Sequence, residues 1–273
     1  YPPGPPVMVA ITPTAWSRVN QFLLTWRNPA DASGVATIHI SMEPPQSAAD
    51  GVRVNAAEQQ VTLQAPVEGA YDLYLWLEDT AGNTSLDDMT TAPDALQFDV
   101  TPPTTTVIYT PPSNAAGWWR SDVAAIIESH DALSGVAALT WQVDDQEPVS
   151  GAYAQIDGDG DHTFVVRSVD HASNVSQSEQ VIHIDSVAPT AQLYALSNYS
   201  AELEIPLRWT GDDPGDPQRS SGLAGYDVQA RVGGLSGDIA ELLAVGEIRH
   251  VIHHSRRCRR RGGVPRRRCP ATA

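Results

Sequence analysis

Asp157-Gly158-Asp159-Gly160-Asp161 sets three carboxylates at alternate positions, the way a loop begins to wrap a calcium ion. A helix-loop-helix calcium site closes with a bidentate Glu at the twelfth loop position, and counting from Asp157 that position is Ser168. Asp-Gly is also the strongest short hairpin signal, and a strand-like run over residues 162–169 follows at once. A hairpin is the simpler reading. Weak calcium binding by Asp157, Asp159 and Asp161 is the alternative, and no other cofactor is expected. A second group of acids has the chemistry of cation sites between modules: Asp99 and Asp185 at two junctions, near Asp31, Asp79, Asp131 and Asp170. Dense Asp and Asn runs are missing there, so these acids are expected on solvated surface, as is the turn-rich loop Asp212-Asp213-Pro214-Gly215-Asp216-Pro217.

Trp118-Trp119 offers aromatic faces that stack on sugar rings. The competing expectation puts one ring in a core and the other on a module interface, while Trp26, Trp141 and Trp209 sit in strand-like runs and read as core. Nothing in the chain spells a nucleophile. There is no Gly-x-Ser-x-Gly elbow, and His39, His130, His162, His171 and His183 are scattered without metal-ligand spacing. The chain therefore reads as no enzyme. Three Asn-x-Ser/Thr sequons begin at Asn83, Asn174 and Asn198, and turn chemistry accounts for the first two.

The elements that would carry these residues are strands. Residues 21–26, 35–41, 61–63, 71–78 and 96–100 alternate or run apolar between turn signals, and residues 105–109, 123–129, 136–143, 162–169 and 179–184 repeat the order. A third set falls at residues 192–196, 203–209 and 223–232, and the one helical candidate, residues 239–245, is short. Asp79-Thr80-Ala81-Gly82-Asn83-Thr84-Ser85 returns as Asp170-His171-Ala172-Ser173-Asn174-Val175-Ser176. Such repetition marks tandem modules. The junctions at Pro102 and Pro189 lie 87 residues apart, a length that suits a seven-strand sandwich.

The shared residues are turn devices. Asp79 and Asp170 accept backbone N–H groups, Gly82 supplies a positive φ, and Asn83 and Asn174 are expected to tolerate the left-handed region. Gly34, Gly135 and Gly222, each after a Ser, mark a second recurrent turn.

Charge is divided unevenly. All 17 basic residues are Arg, and nine of them lie between Arg249 and Arg268. The first 248 residues hold eight Arg against 33 acids, a net −25 that repels nucleic acid and anionic lipid headgroups. No apolar run approaches the ~20 residues of a membrane helix. Both cysteines, Cys258 and Cys269, fall in the basic tail, so the modules hold no disulfide. With His250, His253 and His254 they fit no standard zinc spacing. An Arg- and Cys-rich ending on a Lys-free body suggests a shifted reading frame, entered near residues 233–246. The chain starts at Tyr1 without Met, which reads as a fragment or processed piece with no signal peptide of its own.

Leu24-Thr25-Trp26, Asp31-Ala32-Ser33-Gly34-Val35, Leu75-Trp76-Leu77 and Asp79-Thr80-Ala81-Gly82-Asn83 together resemble immunoglobulin-like and fibronectin type III-like tandem repeats of large secreted or cell-surface bacterial proteins. Gly117-Trp118-Trp119, Ser134-Gly135-Val136 and Asp170-His171-Ala172-Ser173-Asn174 carry the resemblance in the second unit, and Leu207-Arg208-Trp209 with Ser221-Gly222-Leu223 in the third. It covers residues 7–235 and is specific for the module rather than for a function. It implies an all-β chain: a linker at 1–6, sandwiches at 7–101 and 102–187, and a truncated fibronectin type III-like unit at 188–248. A disordered Arg-rich tail at 249–273 follows. It further implies an extracellular spacer or adhesion segment whose partners are other domains of the parent protein, a surface glycan or a surface protein. The alternatives are a polysaccharide-binding module using Trp118 or Trp119, or an accessory region of a secreted hydrolase.

Overall fold

Alternation of side chains decides which face each strand buries. In Phe22–Arg27 the residues Phe22, Leu24 and Trp26 are buried while Leu23 and Arg27 face water. Val123–His130 does the same with Val123, Ala125 and Ile127 inward and Ile126 and Glu128 outward. The computed structural model describes residues 1–199, 207–215 and 220–227. The chain divides into two compact units, residues 1–186 and 187–273.

The first unit holds two sandwiches with the same strand order. The first comprises β1 (Val7–Thr12), β2 (Phe22–Arg27), β3 (Val35–Ser41), β4 (Val52–Asn55), β5 (Gln60–Leu63), β6 (Gly69–Asp79) and β7 (Thr90–Phe98). Its sheets run β1-β2-β5 and β4-β3-β6-β7. The second comprises β8 (Thr104–Thr110), β9 (Trp118–Trp119), β10 (Val123–His130), β11 (Val136–Val143), β12 (Val149–Ser150), β13 (Tyr153–Ile156), β14 (Gly160–Asp170) and β15 (Val175–Ile184). Its sheets run β13-β10-β8 and β12-β11-β14-β15-β9. In immunoglobulin lettering both copies are A-B-E against C′-C-F-G. The short parallel addition β9 on β15 has its counterpart in the first sandwich as a parallel bridge from Ser17 to Phe98. This all-β architecture is the one the sequence led us to expect.

One apolar cluster fills each gap between sheets. Phe22, Leu24, Trp26, Ile38, Leu73, Leu75 and Leu96 pack in the first sandwich. Val123, Ile127, Ile156, Phe164, Val166, Ile182 and Ile184 pack in the second. Each such side chain contributes about 1.5–3 kcal/mol by leaving water.

Several strands differ from the sequence expectation, and the reasons are local. β7 begins at Thr90 although Pro93 lies inside it. As an edge strand with a register shift opposite Tyr71 and Leu73, it needs no N–H from Pro93, and Asp94 takes φ 47° there while donating its N–H to Asp72. β9 and β12 are two residues each, too short to show periodicity. β1 is bulged between Val7 and Ala10, which breaks its alternation.

Trp76 lies on the face of β6 opposite Leu73, Leu75 and Leu77. It is fully buried on the outer side of β6, because the segment after β3 folds back over it. Its Nε1 donates to the Ala48 carbonyl at 3.0 Å, and its ring stacks on His39 at 5.2 Å. Gly51 closes this cover at φ +81°, where a Cβ would lie 2.7 Å from the Ile40 carbonyl oxygen.

In the second unit, β16 (Thr190–Leu193) pairs antiparallel with β17 (Trp209–Asp212). The Trp209 and Tyr226 rings meet edge to face at 6.0 Å. The strand expected at 223–232 is not formed over its described residues 223–227; its remainder, residues 239–245, the tail from 249 and the proposed frame change near 233–246 lie outside the described residues. Among the described residues no helix is long and apolar enough to cross a membrane.

Candidate functional site: the junction within the first unit

The repeated phrase folds into the same turn twice. Asp79 Oδ1 accepts from the Ala81 and Asn83 N–H groups at 2.9 and 2.8 Å, and Oδ2 accepts from Asn83 Nδ2 at 2.7 Å. Asp170 Oδ1 accepts from the Asn174 N–H at 2.8 Å and Oδ2 from Asn174 Nδ2 at 2.8 Å. The left-handed residue is Gly82 (φ 83°) in one copy and Ser173 (φ 70°) in the other. Neither Asn83 nor Asn174 has a positive φ, so the expectation that they tolerate the left-handed region is corrected. Their amides are needed because a buried carboxylate must find a donor for each oxygen. Hydrogen bonds from the Asn83 side chain, and then from backbone N–H groups and Ser33, pull the Asp79 carboxyl down to about 2 against the opposing effect of burial.

A second acid organises the loop before strand C in both sandwiches. Asp31 Oδ1 accepts from the Ser33 and Gly34 N–H groups, both at 2.9 Å, and Asp131 Oδ1 from Leu133 and Gly135 at 3.2 and 2.7 Å. In the second unit Asp213 Oδ2 accepts from the Gly222 N–H at 2.6 Å. The glycines take φ 85°, 76° and 74°, a conformation that an L side chain strains to reach. The two kinds of loop are then tied together: Thr80 N–H donates to the Gly34 carbonyl at 2.9 Å and His171 N–H to Gly135 at 3.1 Å.

Asp99, the residue after β7, connects the two sandwiches. Its Oδ1 accepts from the Thr101 N–H at 2.9 Å, and its Oδ2 reaches into the second sandwich to accept from Ser134 N–H at 3.1 Å. Its carbonyl accepts from Asn174 Nδ2 at 2.9 Å, the same amide that holds Asp170. Glu68, from the first sandwich, accepts from the Val100 N–H and the Thr101 hydroxyl, so the following residues are held from both sides.

Asp99, Asp131 and Asp170 carry carboxylate oxygens that all lie within 4.8 Å of one another. The expectation of solvated surface fails for Asp79, Asp99 and Asp170, which are 2 %, 0 % and 2 % exposed, because backbone and amide donors replace their water. An all-oxygen donor set of this kind suits a hard divalent cation, so these are the residues that could hold one. Sequence spacing missed the grouping because Asp99 follows the last strand of the first sandwich, while Asp131 follows β10 and Asp170 ends β14 in the second.

Other sequence-selected residues are dispersed. Asp159 accepts from the Ser186 N–H at 2.8 Å, and Asp161 pairs with His183 at 2.6 Å, while Asp157 leads into the hairpin before β14. Trp119 is buried with Nε1 donating to the Pro111 carbonyl at 2.8 Å. Trp118, half-buried, tilts against the His183 ring at 5.2 Å. One charged group absent from the sequence reading is Glu78. The hydrogen bond from buried His39 and the Arg53 guanidinium hold its carboxyl below the usual range, although burial pushes the other way. The side-chain nitrogens of His39, His162 and His183 pair with carboxylates and backbone carbonyls.

No family model matches the chain, and no curated protein does. Among solved structures it is similar to fibronectin(III)-like modules of Clostridium thermocellum CbhA, at 14% identity over 65% of this chain and 93% of that one, with a TM-score of 0.31. It is similar also to the FN1-FN3 domains of chicken CNTN1, at 11% identity over 66% and 68% of the two chains, TM-score 0.31. A tetra-tandem repeat from the extending region of a large adhesion protein aligns at 16% identity over 85% and 68%, TM-score 0.26.

Proposed function

We propose that the chain is a non-catalytic spacer or adhesion segment of a secreted or surface-anchored bacterial protein. The observation that supports this most is the way Asp99 is built into both sandwiches. A chain meant to hold distant domains apart needs joints that resist bending, and a joint made of buried hydrogen bonds supplies that where a Gly/Ser linker would not. Asp99 donates nothing from its side chain; its carboxylate and carbonyl instead collect N–H groups from the linker and from two loops of the second sandwich. The acidic body fits a role in which the surface stays solvated and avoids anionic membranes. The proline pair Pro102-Pro103, next to this joint, narrows the backbone freedom further.

The test is rotational diffusion of the two sandwiches in the intact chain by 15N relaxation. We expect a single correlation time for amides of β2–β7 and β8–β15, and two shorter ones after Asp99→Ala. Independent tumbling already in the unsubstituted protein would defeat the spacer reading. Surface placement is tested separately, with an antibody against residues 1–186 applied to intact cells of the source organism. Labelling only after lysis would remove the extracellular assignment.

A further inference from the structure

On one side of the second sandwich, β8, the segment leading to β9, and β15 enclose an open cleft of about 540 Å³. Tyr109, Pro112, Trp119 and Val181 supply apolar walls, and Ser113, Gln180 and His183 bring polar groups to it. Its size falls within the range of small-molecule sites, ~300–1,000 Å³. We propose that this cleft is a binding subsite for a neutral pyranose, taken from a polysaccharide chain that passes across the module.

The chemistry selects that ligand. A pyranose presents an apolar C–H face to an aromatic ring and hydroxyls around its edge, so its site combines exposed aromatic surface with uncharged donors and acceptors. Tyr109 sets its ring edge to face against Trp119 at 5.8 Å and against Phe164 at 6.3 Å, which fixes its orientation from inside the core. Burial pushes the Tyr109 hydroxyl above its ordinary value, so it stays a neutral donor across the physiological range. His183 has Nδ1 turned to Asp161 at 2.6 Å. A carboxylate only accepts, so Nδ1 carries the proton and Nε2 is the nitrogen left for a ligand.

The wall at residues 112–117 is already shaped. Asn114 Oδ1 accepts from the Ala116 and Trp118 N–H groups at 2.9 and 3.0 Å, and the Asn114 N–H donates to the Trp118 carbonyl at 2.8 Å. A preformed wall spares the ordering cost that a loose loop would carry on binding. None of the cleft residues is Lys or Arg, and the body around it carries strong negative charge, so phosphate and sulfate esters or uronic acids are disfavoured. The cleft is open to solvent, which admits a residue within a polymer. Trp118 flanks it through the His183 ring and adds an aromatic surface beyond the lining.

Affinity electrophoresis of the whole chain tests this, in native gels cast with xylan, mixed-linkage β-glucan, galactomannan or dextran, and with polygalacturonate as the anionic control. Retardation is expected in at least one neutral gel and not in polygalacturonate. Gln180→Ala and Trp118→Ala should each weaken it about tenfold, the loss of roughly one hydrogen bond or one ring contact. Gln180 is exposed, so Gln180→Ala keeps the wild-type melting temperature and separates binding from folding. The proposal is overturned by mobility unchanged in all four neutral gels. Retardation that both variants retain in full overturns it too. Capture of an apolar dye by the cleft without any glycan retardation would mark a protein-docking face instead. None of these outcomes touches the relaxation test of the joint, so the spacer reading stands or falls apart from this one.

Discussion

Asn83 grips both oxygens of Asp79, one through its backbone N–H and the other through its side-chain amide. The acid lies lower in the folded chain, about 2, than its ordinary 3.8. Between those two values the unfolded chain binds more protons than the folded one, so stability rises with pH there and is lost on acidification. The contribution is complete above roughly pH 4 and disappears as pH falls through 2. Asn83→Ala removes the largest cause, so the Asp79 carboxyl should titrate closer to 3.8 by 13C NMR. The acid limb of a melting-temperature profile should flatten with it. A carboxyl still titrating near 2 in the variant would mean that the backbone donors alone suffice. That Asp79 and Asp170 serve turns was legible from their place after a strand. The work of Asn83 and Asn174 was not, because side-chain amides that close a carboxylate are indistinguishable in sequence from residues chosen for a left-handed backbone.

Among the elements, β6 shows what alternation reveals and what it hides. Leu73, Leu75 and Leu77 face the core as their spacing requires, and Leu75→Ala should cost about 2–5 kcal/mol in chemical denaturation. Trp76 on the opposite face is just as buried, since a segment distant in sequence folds over it, and period-two logic has no term for such a cover. Gly51 is the place to test the cover. With φ +81° and a Cβ site 2.7 Å from the Ile40 carbonyl, Gly51→Ala should destabilise by about 1–3 kcal/mol and brighten or shift the Trp76 fluorescence. An unchanged melting temperature would show that the segment yields without loss. β7 teaches the related lesson for proline: Pro93 hid the front half of a strand that an edge position and a bulge accommodate.

For the whole molecule, the tandem order was readable because the module recurs within a single chain. The clustering of Asp99, Asp131 and Asp170 was not, since it depends on how one sandwich meets the next. The described part of the second unit exposes Leu193, Tyr194, Leu196, Leu207 and Leu223. A two-stranded pairing with such apolar exposure has little to hold it in water. Residues 1–190 expressed alone should therefore remain soluble at higher concentration and resist protease longer than the whole chain. Equal half-lives in both would argue that the second unit is as well protected as the first.

Asn174 has two amide protons and two duties, one to Asp170 of its own turn and one to the carbonyl of Asp99 from the preceding sandwich. In its second copy the repeated phrase thus carries the address of the upstream neighbour as well as its own closure. Stability of the two sandwiches becomes a sum over both modules plus a term for the pair, as in a one-dimensional lattice of coupled sites. Melting one sandwich then removes a single pair term from the next and goes no further. During synthesis the order is set as well, because Asp99 emerges before Asn174, so the finished first sandwich offers a ready carbonyl on which the turn of the second can close.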